Sequence, residues 1–100
     1  MAAPQVKITW TKRAARHLRS AYEFWTQEKS QSAADSMLEH IFSTIELLVR
    51  NPELGRGGRV PGTRELVLRP LPFIVVYRVR RNRVEILALL HGARKWPGEF

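Results

Sequence analysis

"PFIVVYRVRR", residues 72–81, and "VEILALLH", residues 84–91, decide the fold. Both are dense in Val, Ile, Leu and aromatic residues, and the Asn82 region between them suits a turn, so they read as two consecutive strands. The second is apolar on both faces from Ile86 to Leu90, which predicts a central strand covered by helices on at least one side. Upstream, "RELVLRPL", residues 64–71, reads as a third strand, with Pro70 and Pro72 punctuating the first two of the three. Before it, "ELGRGGRVPGT", residues 53–63, holds four glycines and one proline. Gly55, Gly57, Gly58 and Gly62 superficially suggest a phosphate cradle, but no helix follows to supply the anion-binding N-terminus. A flexible connector is expected instead.

The N-terminal half has a different period. "VKITW", residues 6–10, alternates Val6, Ile8 and Trp10 with Lys7 and Thr9, the pattern of a half-buried strand. Thr11 stands where an N-cap belongs. From there Ala14, Leu18, Ala21, Tyr22 and Trp25 recur at helical spacing to about Glu28, leaving Lys12, Arg13, Arg16, Arg19 and Glu23 for solvent. After the polar break "EKSQS", residues 28–32, Ser32 is expected to cap a second helix, with Asp35 favouring its positive N-terminus. Its apolar stripe is Ala34, Met37, Leu38, Ile41, Phe42, Ile45, Leu48 and Val49, and Asn51 and Pro52 stop it. So short a connection predicts an antiparallel helical hairpin. The order strand, helix, helix, three strands gives an α+β fold, one domain over residues 1–100, with the hairpin on one face of a mainly antiparallel sheet.

Charge narrows the partner. Seventeen Lys and Arg against nine Asp and Glu give a net charge of +8, with ten of the basic residues in positions 51–100. That asymmetry points to nucleic acid, an anionic surface or an acidic protein. The absence of cysteine excludes disulfide frameworks and thiolate metal sites. His17, His40 and His91 lie too far apart for a local metal motif, so neither metal nor cofactor is expected. "MAAPQVKITW" lacks a secretory apolar core, and no apolar run approaches the roughly 20 residues that span a bilayer, so no membrane partner and a cytoplasmic location are expected.

Common catalytic motifs are missing: no phosphate-binding loop, no G-x-S-x-G and no H-E-x-x-H. Glu65 and Glu85 are the only acids in the three C-terminal strands, and a carboxylate pair for glycoside chemistry is not expected. Guanidinium groups dominate instead. Arg64, Arg69, Arg78, Arg80, Arg81 and Arg83 lie in or beside strands, and Arg94 and Lys95 follow the last one. Two readings stay open: a surface that recognises phosphate or carboxylate, and a charged sheet edge that resists aggregation. His17 and His40 read as boundary residues of their helices. His91 closes a strand three residues before Arg94, pairing a proton carrier with a permanent cation. Trp96 reads as a core plug or a stacking platform.

Five pieces, "NPELGR" (51–56), "PGTREL" (61–66), "FIVVYRV" (73–79), "VEILALL" (84–90) and "HGARKWP" (91–97), occur in an order and spacing that together are specific. Over Val6 to Pro97 the chain resembles the RelE/ParE superfamily of bacterial type II toxins. The resemblance implies a β-α-α-β-β-β fold and a toxin held inactive by a cognate, acidic antitoxin in a hetero-oligomer. ParE-like members inhibit DNA gyrase, whereas RelE-like members cut mRNA on the ribosome with basic residues and commonly a tyrosine near the C-terminus. By motif position Arg64, His91 and Arg94 would be the catalytic set of a ribonuclease. Trp96 and Pro97 stand where that tyrosine is expected, and "HGARKWP" looks more like ParE. The resemblance therefore implies gyrase inhibition by binding, with Arg69, Arg78, Arg80, His91, Arg94, Lys95 and Trp96 as target-binding residues. Ribosome-dependent mRNA cleavage is the alternative, and a non-toxic basic binding module a third.

Overall fold

Thr11 turns the chain from strand to helix. In the computed structural model, which describes residues 6–92 and 97–100, β1 (Lys7–Trp10) ends at Thr11 and α1 (Lys12–Glu28) begins after it. Thr11 Oγ1 accepts from the Ala14 amide at 3.1 Å, as an N-cap should, and lies 3.1 Å from the Ile86 carbonyl, to which it donates. One side chain thus caps the helix and pins it to the last strand.

The second helix, α2 (Gln31–Glu46), is capped by Ser30 rather than the expected Ser32: Ser30 is extended and its Oγ accepts from the Ala33 amide at 3.0 Å. The break is shorter than its composition suggested, because the Lys29 and Ser30 amides both fold back onto the Trp25 carbonyl. Asp35 turns to the preceding helix, where Tyr22 Oη donates to it at 2.8 Å. A 3₁₀ turn, Leu47–Val49, finishes the helical hairpin. Ala34, Met37, Ile41, Ile45 and Leu48 are buried, but Phe42 stays 46% exposed, with its ring edge-on to Trp10 at 5.9 Å. The buried stripe is narrower than the apolar one.

The chain then adds β2 (Arg56–Gly57), β3 (Arg64–Val67), β4 (Phe73–Arg80) and β5 (Arg83–His91). They form one sheet of order β1-β5-β4-β3-β2, antiparallel except for the parallel pairing of β1 with β5. The expected three-strand antiparallel set is its centre. β1 extends it on one side, and on the other the glycine-rich connector supplies β2, a paired edge strand where a flexible link was expected.

A bulge sets which residues of β5 face the core. Tyr77 is opposite Ile86 and Val76 is opposite Ala88, so Leu87 is an extra residue and the alternation slips by one. Val84, Ile86 and Leu89 join the main core with Met37, Ile41, Val75 and Tyr77. Leu87 and Ala88 face the other way with Val76, where Phe100 packs on them. Each fully buried aliphatic side chain of the main core, Ile41 for example, contributes about 1.5–3 kcal/mol.

Candidate functional site

The register divides the cations between the two ends of the sheet. His91 is level with Phe73, whereas Arg64 is level with Tyr77 and Ile86. Their Cα atoms are therefore separated by about 13 Å along the strands and about 10 Å across them. Arg64 points its guanidinium at the preceding loop: Nη1 donates to the Gly55 carbonyl at 2.9 Å and to that of Glu53 at 3.3 Å. Arg94, the third residue of the ribonuclease set, lies outside the described residues, as do Lys95 and Trp96.

Tyr77 finishes the same anchor. It is fully buried, its Oη donates to the Pro52 carbonyl and accepts from the Gly55 amide, both at 2.8 Å, and burial pushes its pKa up. Gly55 is obligatory, because a Cβ there would sit 2.7 Å from the Tyr77 ring. Beside it Glu65 is buried at 3% exposure, on the sheet face away from the helices. It accepts from the Arg59 amide at 2.8 Å, from Arg56 Nη2 at 3.0 Å and from Arg59 Nε at 3.3 Å. Burial works to raise its pKa, but these donors outweigh it and the net shift is downward. Residues 52–65 are thus tied down at both ends.

At the other end, His91 is exposed and its ring meets Phe73 edge-on at 6.1 Å, while Phe73 leans on Trp25 at 6.3 Å. The rings of Phe73 from β4 and Trp25 from α1 make an apolar floor beneath His91. The Gly92 amide donates to the Pro72 carbonyl at 3.0 Å and fixes the strand end. Arg69 joins this end through the turn into β4, where the Leu68 amide donates to the Phe73 carbonyl. The Arg69 carbonyl can only accept, so His40 Nε2 donates to it at 2.8 Å. An exposed cation, an exposed imidazole and an aromatic floor therefore share the end of the sheet that leads into residues 93–96.

Arg78 and Arg80, expected beside them, stand at the opposite end. Arg78 Nε donates to Glu85 at 2.6 Å and Arg80 Nε is 3.8 Å from the same oxygen. The Arg78 hydrogen bond, then the other neighbouring cations, holds the Glu85 carboxyl below its usual range, against a smaller desolvation effect.

Two residues that matter were not singled out by sequence. Lys7, read as a solvent-facing strand residue, pairs with Arg83. That neighbour is invisible until β1 is known to lie parallel to β5. His17, read as a boundary residue, is half-buried, and its Nδ1 accepts from the Leu89 amide at 3.2 Å. Among the described residues no group of three His, Cys, Asp or Glu side chains is placed to hold a metal, and no helix is long and apolar enough to cross a membrane.

Residues 8–96 match the family model described as "ParE toxin of type II toxin-antitoxin system, parDE". A curated protein of Sinorhizobium fredii, "Putative toxin Y4kP", is 37% identical over 91 residues, 91% of this chain and 93% of that one. Among solved structures, "Chromosomal ParDE TA system from P. aeruginosa" superposes with a TM-score of 0.78 at 28% identity, covering 87% of this chain and 96% of that one. "YoeB/ParE toxin from Agrobacterium tumefaciens" gives 0.57 at 25% identity, covering 84% and 95%.

Proposed function

The chain belongs to the ParE toxin family of type II toxin-antitoxin systems, and from that premise we propose that it stops growth by binding DNA gyrase. Its partner is a cognate antitoxin. The +8 charge favours an acidic one that covers the toxin in a hetero-oligomer, in the cytoplasm where gyrase works.

The observation that carries the binding reading is the separation of Arg64 from His91. Cutting RNA through its 2′-hydroxyl needs a base, an acid and charge stabilisation around one phosphate, each within about 3 Å of the atom it serves. Arg64 is occupied by the Glu53 and Gly55 carbonyls two strands away from His91. The His91 end has the make-up of a protein contact instead: an arginine, an imidazole and packed aromatic rings, residue types enriched where proteins meet.

The purified chain is expected to inhibit supercoiling by gyrase or to trap cleaved DNA, and its cognate antitoxin to relieve the effect. Ribosome-dependent mRNA cutting with gyrase unaffected would replace this reading with the ribonuclease one. Harmless induction without antitoxin would leave a non-toxic basic binding module.

A further inference from the structure

We propose that the open face of the sheet at the β4–β5 turn, opposite the His91 end, is a contact site for the phosphate backbone of duplex DNA. The choice of duplex DNA rests on the gyrase reading, since DNA is what gyrase holds; the site itself rests on the register. Lys7 pairs with Arg83, and Arg83 pairs with Arg80. Paired residues point to the same side, and here it is the side away from the helices, because Ile8 and Val84, next to Lys7 and Arg83, face the core, as does Tyr77, three residues and so an odd step before Arg80. Three cations from three strands therefore stand in a row at spacings of about 4.8 Å. Arg81 in the turn and Arg78 one step inward add two more.

Glu85 is the one carboxylate ion-paired at this end among the described residues, and it is committed to Arg78 and Arg80. Glu99, in the C-terminal segment that packs on this face, lines a neighbouring pocket with Arg78 and Arg80, so Lys7, Arg81 and Arg83 are the cations of this surface that stand away from both acids. A shallow cleft of about 540 Å³ is lined by Lys7, Arg80, Arg81, Asn82 and Arg83.

Edge protection does not account for the row. β4 and β5 are interior strands, so Arg80 and Arg83 blunt no edge. Like charges directly opposite each other weaken a sheet, and an external polyanion removes that repulsion. The composition of the cleft selects the polyanion. A protein partner needs apolar or aromatic anchors at the centre of its contact, and this lining has none. Phosphate contacts need only Lys and Arg, whose donors match the oxygens. The row spans about 10 Å, roughly three steps of 3.4 Å along one DNA strand.

The test measures binding of the purified full chain to a fluorescent 20-base-pair duplex by anisotropy across a salt series, with no gyrase present. Wild type is expected to bind with a strong salt dependence. Arg80→Gln combined with Arg83→Gln should weaken binding about tenfold or more and shallow the log–log salt slope by about two contacts at 0.9 each. Lys12→Gln combined with Arg19→Gln removes equal charge from α1 and should change affinity less than twofold. Equal losses in the two double variants, no duplex binding by wild type, tighter binding to single-stranded RNA, or more effective competition by an acidic peptide would each overturn the proposal. Supercoiling inhibition is assayed separately, so that intact inhibition without duplex binding sinks this site alone, and duplex binding without inhibition sinks the gyrase reading alone.

Discussion

The Leu89 amide donates to His17 Nδ1 across 3.2 Å, joining β5 to α1 beyond the point where β1 stops. β1 reaches only to Ile86, so the edge of β5 past it lacks a strand, and the imidazole supplies the acceptor that a neighbouring strand would have given. Only a neutral ring can accept there. Burial, then Arg13 and Arg16, lowers the His17 pKa from the ordinary 6.5. As pH falls, the unfolded chain therefore takes up the proton before the folded one. The stabilisation is complete above pH 6.5 and is lost as pH falls through the lower folded value. The urea midpoint is expected to drop between pH 7.5 and 5.5, and His17→Gln, which keeps an acceptor but cannot titrate, to flatten that slope. An unchanged slope in the variant would show that another group sets it.

Tyr77 and Gly55 hold the loop into β3 by a contact that leaves no room for a methyl group. Tyr77→Phe deprives the buried Gly55 amide of its acceptor and is expected to cost about 1–3 kcal/mol. For a chain of this size that lowers Tm by several degrees or more in a thermal melt. Gly55→Ala drives a Cβ into the tyrosine and should also destabilise. Because both changes act through the same hydroxyl, the double variant should lose less than the sum of the two.

Glu65 should contribute to the acid limb of stability. Its folded pKa lies below the ordinary 4.5, so its contribution is present above pH 4.5 and disappears as pH falls through the folded value. Glu65→Gln removes the charge and turns donors of the new amide towards Arg56 or Arg59. A cost of about 1–3 kcal/mol at neutral pH is expected, since both arginines remain half in water. Acid titration followed by circular dichroism should show a weaker loss of structure below pH 4.5 in the variant.

Element order was legible because hydrophobic period is local: the strand and helix patterns need only their own residues. Partnership across the fold was not. Lys7 beside Arg83, His17 beneath Leu89 and Glu65 between Arg56 and Arg59 all join segments whose adjacency is set by the register. The bulge at Leu87 hid the faces of β5, since strict alternation fails on either side of it. Motif position brought Arg64 and His91 under one chemical role, and the sheet sets them about 16 Å apart. Arg69 and His91 were named together and do share an end. Arg78 and Arg80 were named with them and form a different surface.

That division makes a prediction about mechanism. If the His91 end binds a protein target, charge there should matter more than a titrating proton. Arg69→Glu reverses an exposed charge whose carbonyl His40 holds in place, and is expected to raise the concentration for half-inhibition of gyrase about tenfold, or 1.4 kcal/mol. His91→Gln keeps hydrogen-bonding capacity but abolishes acid–base function, and is expected to change inhibition less than threefold. A general acid or base contributes about 10²–10⁴ in rate, so a ribonuclease would lose nearly all activity in the same variant. Growth arrest by induced His91→Gln, scored beside supercoiling and mRNA integrity, separates the two cases. Survival of the cells with a folded, soluble variant that has lost mRNA cutting, where the wild type cuts mRNA and leaves supercoiling untouched, would assign His91 to catalysis and end the binding mechanism.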